Sequence, residues 1–179
     1  MLLSHFLSFY KGQPNEQSAR ECYLAVEHAL WEEKILTPLT LIGALATCRV
    51  EVGKNYKPIR EYASGEAYEG RRDLGNTEKG DGIRYAGRGL IQITGRANYA
   101  LYGKRLGIDL LGNPDLALEL KVSAKILAMY FKDRKVNVAC DNKDWEFARQ
   151  KVNGINSVTG RPNGIIEFLD IVNQFLTKL

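Results

Sequence analysis

Residues 65–82 read GEAYEGRRDLGNTEKGDG, and this stretch constrains the fold more than any other part of the chain. On both sides of it apolar residues recur at helical spacing, whereas residues 54–84 are charged, glycine-rich and without such a period. A loop this long inside a compact domain is functional or disordered. Tyr56, Tyr62, Tyr68 and Ile59 give it enough apolar surface to be ordered. The chain therefore reads as a helical protein interrupted once by an irregular segment.

The helical parts carry their own start and stop signals. Residues 16–34 place Ala19, Tyr23, Val26 and Leu30 on one face after a candidate Asn15 cap. Thr37-Pro38 opens a second helix, with threonine as cap and proline in the first helical position. Its stripe runs Leu41, Ile42, Leu45, Cys48, and Gly53 closes it. Further helices are expected at 98–106, after Asn113-Pro114, at 121–133, from Asp144 to Asn153, and at the C-terminus around Ile165, Leu169, Val172 and Leu176. The opening MLLSHFLSFYKG lacks a basic start and a small-residue cleavage site, so it reads as a short helix of the fold and not as a secretory signal. The run LIQIT at 90–94 alternates like a strand, with Gln92 and Thr94 on one face and glycines on either side. The expected fold class is mainly α, lysozyme-like α+β, with a two- or three-stranded element around residues 70–95. All 179 residues are read as one catalytic domain without a separate wall-binding module.

Composition excludes several classes. No apolar run approaches the roughly 18 residues needed to span a bilayer, so stable membrane insertion is not expected. A net charge of +4 permits an anionic partner, but no basic-aromatic stripe points to nucleic acid. Cys22, Cys48 and Cys140 are odd in number and far apart, which suits buried thiols. With only His5 and His28 and no CxxC, neither a metal nor an organic cofactor is implied. GNTEKGDG places Asp81 where a phosphate loop has lysine, and no GxSxG is present.

Carboxylates remain. Glu51 falls in the last turn of the second helix, at the negative end of its dipole. Partly buried against aliphatic neighbours, a glutamate there has a raised pKa and donates a proton near neutral pH. A solvated glutamate at a helix end is the alternative. Glu61 lies ten residues on, and Glu66 and Glu69 follow. A glycosidase needs two carboxyl groups across the scissile bond, about 6.5–9.5 Å apart for inversion or about 5–5.5 Å for retention.

Four segments together resemble the catalytic core of family 19 glycoside hydrolases, the plant-type chitinase fold, and most closely the phage and prophage endolysins of that group. These are EVG at 51–53, IREYASG at 59–65, YEGRRDLGNTEKGDG at 68–82 and YAGRGLIQITGRANY at 85–99. NPDLA at 113–117 and VNG at 152–154 fit later segments. The resemblance implies Glu51 as general acid, Glu61 as the carboxylate that activates water, and Thr94 as the hydroxyl that helps hold it. It implies substrate contacts from Gln92, Asn98, Tyr85, Asn153 and Glu69, on a groove floor formed by the Gln92/Thr94 face. Arg88 and Arg96 either pair with loop carboxylates such as Glu69 or Asp73, or touch substrate.

Three positions depart from the pattern: Val50 replaces a histidine, Glu61 follows Glu51 by ten residues and not nine, and Ala97 replaces a tyrosine. The last suits an endolysin better than a chitinase, and the second leaves Glu61 and Glu69 as alternative second carboxylates. The implied function is cleavage of β-1,4 bonds in peptidoglycan by inversion. The partner is the glycan strand, and the enzyme is expected to be a monomer. It is expected to be made in a host cytoplasm and to reach the wall through a holin-type pore. Chitinase activity on the same fold, or a non-catalytic wall-glycan-binding domain, are the rivals.

Overall fold

A computed structural model describes residues 3–177 and shows a mainly helical chain with one small two-stranded sheet, as the sequence indicates. Two compact units are present. The first combines residues up to Lys57 with those from Ala124 onward, and the second is Pro58–Ser123.

In the first unit, α1 (Leu3–Ser8), α2 (Glu16–Glu32) and α3 (Pro38–Val52) precede the long segment. The sequence PLTLIGALATCRVEV is apolar nearly all round, and a helix of that kind must be covered on every side. Residues Thr40 to Cys48 are accordingly all buried. The neighbours of α3 are α2 together with α7 (Val136–Asp141), α8 (Trp145–Asn153) and α9 (Ile165–Leu176). Gly43 permits the close approach to α7, because a Cβ there would run into Cys140 Sγ. Thr37 caps α3 by accepting from Thr40 N at 3.0 Å, and Gly53 ends it at φ 75°. The candidate Asn15 cap is corrected: its side chain makes no cap bond and donates instead to Lys54 O at 2.5 Å. Aromatic rings bind the two ends of the chain together, with Phe6 packed on Tyr23, Tyr56 and Phe175. All three cysteines are free and buried.

The second unit holds the irregular segment. Strand β1 (Ile59–Arg60) pairs antiparallel with β2 (Arg88–Gly89), in register Ile59↔Gly89 and Arg60↔Arg88. Two 3₁₀ turns at Glu66–Tyr68 and Arg72–Leu74 and the one-turn α4 (Asp81–Arg84) lie between the strands. Helix α5 (Arg96–Leu106) and a 3₁₀ turn at Pro114–Leu118 follow. Helix α6 (Leu120–Asp133) then carries the chain back into the first unit. Leu90, Ile91, Ile93, Tyr85, Tyr99 and Leu110 are the buried core of the second unit.

The strand expected at 90–94 is corrected. Leu90 to Gln92 form a turn closed by an Arg88↔Ile93 bridge, with Gly89 at φ 93° and Gln92 at φ 52°. Alternation of apolar and polar side chains is satisfied equally by a turn that buries Leu90, Ile91 and Ile93. The sheet uses residues on either side of the polar loop and not a hairpin within it. Among the described residues no helix is long and apolar enough to cross a membrane, and no cluster of three or more His, Cys, Asp or Glu could hold a metal ion.

Candidate active site

In the second unit, β1 delivers Glu61 directly after its last paired residue. The Glu61 N–H donates to Gly87 O at 2.9 Å, and its carboxylate in turn accepts from Gly87 N through Oε1. The other oxygen, Oε2, accepts from the Tyr68 hydroxyl at 2.9 Å. Burial pushes the Tyr68 phenol above its ordinary pKa, and its hydrogen bond to the Glu61 carboxylate, together with that group's charge, adds to the rise. Gly87 has no side chain because none fits easily: a Cβ would stand 3.3 Å from the Glu61 carboxyl and 3.2 Å from Gln92 Oε1.

Gln92, Thr94 and Asn98 form a chain of bonds beside it. The Gln92 amide donates to Ile59 O at 2.9 Å and to Gly89 O at 2.6 Å, which secures its left-handed backbone against the sheet. Thr94 Oγ1 donates to Gln92 O at 3.1 Å, and Asn98 Nδ2 to Thr94 O at 2.7 Å. Gln92 and Thr94 have spent their donors on the main chain, and Asn98 one of its two. What these groups offer a ligand is chiefly acceptor capacity, on Gln92 Oε1, Thr94 Oγ1 and Asn98 Oδ1, with one N–H of Asn98 beside it.

Glu69 is not with Glu61. Its two oxygens accept from Gly80 N at 2.6 Å and Gly82 N at 2.9 Å, so it ties the polar loop to the start of α4. Tyr85 is only 1% exposed and its hydroxyl donates to Leu111 O. It borders a pocket of about 670 Å³ lined by Glu78, Asp81, Arg84, Arg96 and Leu111, whose lining includes neither Glu61 nor Gln92. Of the two arginines, Arg96 takes a loop carboxylate as expected, though neither Glu69 nor Asp73, and Arg88 takes one outside the loop. Buried Arg88 pairs with Asp115 at 2.7 Å and donates to Arg84 O, Ala86 O and the Tyr99 hydroxyl. Arg96 pairs with Glu78 at 2.6 Å, while Asp73 is taken by Arg71.

In the first unit, Glu51 lies in the last turn of α3 as expected, but its neighbour is not aliphatic. Arg149 Nη1 donates to Glu51 Oε1 at 2.6 Å, with the two side chains 1% and 13% exposed. A cation there offsets both the carboxylate and the carbonyl end of α3. Arg149 Nε donates to Asn163 O at 2.7 Å, and its guanidinium carbon stands 6.0 Å from the Phe168 ring. Asn153 is the last residue of α8, exposed, with its carbonyl accepting from Asn163 Nδ2 at 2.9 Å.

Sequence reading missed Arg149 and Tyr68. Arg149 had a signal: Trp145, Ala148 and Val152 mark the buried face of α8, and position 149 lies within that stripe. A charge inside an apolar stripe needs a buried partner. Tyr68 had only its place at the head of the YEGRRDLGNTEKGDG segment.

Against known proteins, residues 46–173 match the glycosyl hydrolase family 19 pattern, chitinase class I. The chain belongs to family 19. This family 19 chain is 37% identical over 117 residues to a family 19 domain-containing protein of Haemophilus influenzae, covering 65% of the chain and 52% of that protein. It is 33% identical over 98 residues to an endochitinase of Arabidopsis thaliana, covering 55% of the chain and 34% of the relative. The chain thus spans about half the length, or less, of these curated relatives. Its fold superposes on chitinase C of Streptomyces griseus with a TM-score of 0.70 at 20% identity, over 97% of this chain and 74% of that one. A second bacterial family 19 chitinase gives 0.71 at 20% identity, over 97% and 92%. At that identity the structures speak for the fold alone.

Proposed function

We propose that this family 19 chain hydrolyses β-1,4 glycosidic bonds of peptidoglycan by inversion, as an endolysin. The observation that carries the reading is the setting of Glu61. It accepts one hydrogen bond on each oxygen, from a backbone N–H and from a phenol. A carboxylate surrounded by donors is an acceptor-only group, the form a general base must take. In this reading Glu61 takes one proton of the attacking water, and Thr94 Oγ1, whose own hydrogen is given to Gln92 O, accepts a hydrogen bond from the water's other hydrogen, which stays on the product hydroxyl. Glu51 gives its proton to the leaving oxygen, and Arg149 stabilises the carboxylate left behind. Water attacks in one displacement, with no covalent sugar-enzyme intermediate.

Gln92, Asn98 and Asn153 contact the glycan, whose hydroxyl and N-acetyl N–H groups are donors that suit the open acceptors. Glu69 serves the site indirectly by holding the loop that carries Tyr68. The enzyme acts as a monomer, made in a host cytoplasm and reaching the wall through a holin-type pore. Chitin is the second substrate to consider, because the Arabidopsis relative is named an endochitinase. Ala97, where the chitinase pattern has tyrosine, favours peptidoglycan.

The test uses purified peptidoglycan and chitin oligomers side by side, with products identified by mass spectrometry and their anomers by NMR. Glu51→Gln and Glu61→Gln should each fold normally and lose activity by about a hundredfold or more, the range general acid–base catalysis supplies. Near-normal turnover of either variant, or a product that keeps the anomeric configuration, rejects the assignment. Turnover of chitin alone rejects the substrate.

A further inference from the structure

The hairpin between α8 and α9 closes through an Ile155↔Pro162 bridge and a bond from Asn156 N to Arg161 O at 2.8 Å. At its base Asn163 makes three bonds at once. Its N–H donates to Gly154 O at 3.2 Å, its Nδ2 donates to Asn153 O at 2.9 Å, and its carbonyl accepts from Arg149 Nε at 2.7 Å. Gly164 follows with φ 68°, in the left-handed region. A Cβ there would stand 3.0 Å from Arg149 Nη2 and 3.3 Å from Val50 Cγ1.

We propose that Asn163 is a positioning residue for Glu51, acting through Arg149. The proposal rests on Glu51 being the general acid. A guanidinium is a rigid planar fork, so fixing Nε fixes the direction of Nη1. The Asn163 carbonyl does the fixing, and the 2.6 Å bond from Nη1 to Glu51 Oε1 follows from it. The Asn163 peptide cannot turn away, because its side-chain amide is tied to the last residue of α8 and its N–H to Gly154. Gly164 keeps the far side of the guanidinium clear, so the two residues act as a bracket with an open face. A residue whose purpose was only to end α8 would need the Asn153 bond but not the carbonyl aimed at Arg149.

Two variants probe the bracket. Asn163→Ala removes the amide that holds the peptide, and Gly164→Ala places a methyl group against Arg149. The readouts are kcat and KM on soluble peptidoglycan fragments and the ¹⁵N-detected Nε–H signal of Arg149. We expect kcat to fall roughly ten- to a hundredfold with KM within about twofold, the pattern of a misplaced catalytic group. The Arg149 Nε–H signal should shift and exchange faster with solvent in both variants. Val158→Ala, on the exposed tip of the same hairpin, should change neither. If Asn163→Ala does not fold, Gly164→Ala carries the same test. An unchanged Nε–H signal, or a changed one with normal kcat, overturns the proposal. If instead Glu51→Gln proves active, the general-acid reading fails, while the Nε–H shift still reports the bracket by itself.

Discussion

Replacing Arg149 by methionine isolates the buried ion pair of the first unit. Methionine is unbranched and of similar reach, so the change removes the charge and five donors while leaving little void. Glu51 loses a partner at 2.6 Å and Asn163 O loses a donor at 2.7 Å. Removing one member of a buried pair costs about 3–5 kcal/mol. Glu51 is still 13% exposed and can recover some hydration, so the low end applies, about 3 kcal/mol. For a chain of this size that lowers Tm by roughly 6–12 °C. Denaturant unfolding followed by tryptophan fluorescence is the assay, since both tryptophans, Trp31 and Trp145, belong to the first unit. The double variant Glu51→Gln/Arg149→Met should cost less than the sum of the singles by about 1–2 kcal/mol, because the stranded charge is then absent. A cost under about 1 kcal/mol for the single variant, or additivity within about 0.5 kcal/mol, would refute the claim that the pair is a coupled buried unit.

Glu69→Gln keeps one acceptor and loses the charge that Gly80 N and Gly82 N point at. Hydrogen exchange at those two amides should speed up while turnover stays within a fewfold, and an inactive but normally protected variant would move the base to Glu69. Thr94→Val deletes the bond to Gln92 O that secures a left-handed residue, so stability should fall by about 1 kcal/mol along with turnover. A variant as stable as the parent would show that the turn holds without it. Glu61→Gln removes the negative charge beside Tyr68, and with it part of the cause of that phenol's raised pKa. The neutral phenol should therefore ionise at lower pH in the variant than in the parent, which ring-labelled tyrosine NMR would follow, and an unmoved titration would break the proposed Tyr68–Glu61 link.

Helices whose signals are local were legible. Thr37-Pro38 and Gly53 bound α3 by their own backbone chemistry, and α2 and α9 follow from apolar spacing. Helix α7 was missed because six residues cannot show a period. The turn at 90–92 was misread because nothing in LIQIT reveals that Gln92 sits at φ 52°, a conformation stabilised by bonds to Ile59 and Gly89. At the candidate site, Glu51 was singled out by its place at the end of a helix and Glu61 through a family pattern and not through spacing. Their partners were not, since Arg149 reaches Glu51 across 98 residues of sequence. Tyr85 was carried over from the pattern as a substrate contact, and its burial, at the edge of a pocket apart from Glu61, could not be read from the sequence.

The first unit is assembled from the two ends of the chain, with the second unit inserted at Pro58–Ser123. Phe6 meets Phe175, and Glu51 meets Arg149, only after the inserted segment has been synthesised. At about 5–20 residues per second a ribosome needs several seconds to make that segment. A nascent chain halted anywhere before α8 therefore carries Glu51 without its counter-ion and Phe6 without Phe175, though Tyr23 and Tyr56 are already in place. Chains that stop short of α8 lack part or all of the second half of the first unit, so that unit closes only in finished molecules.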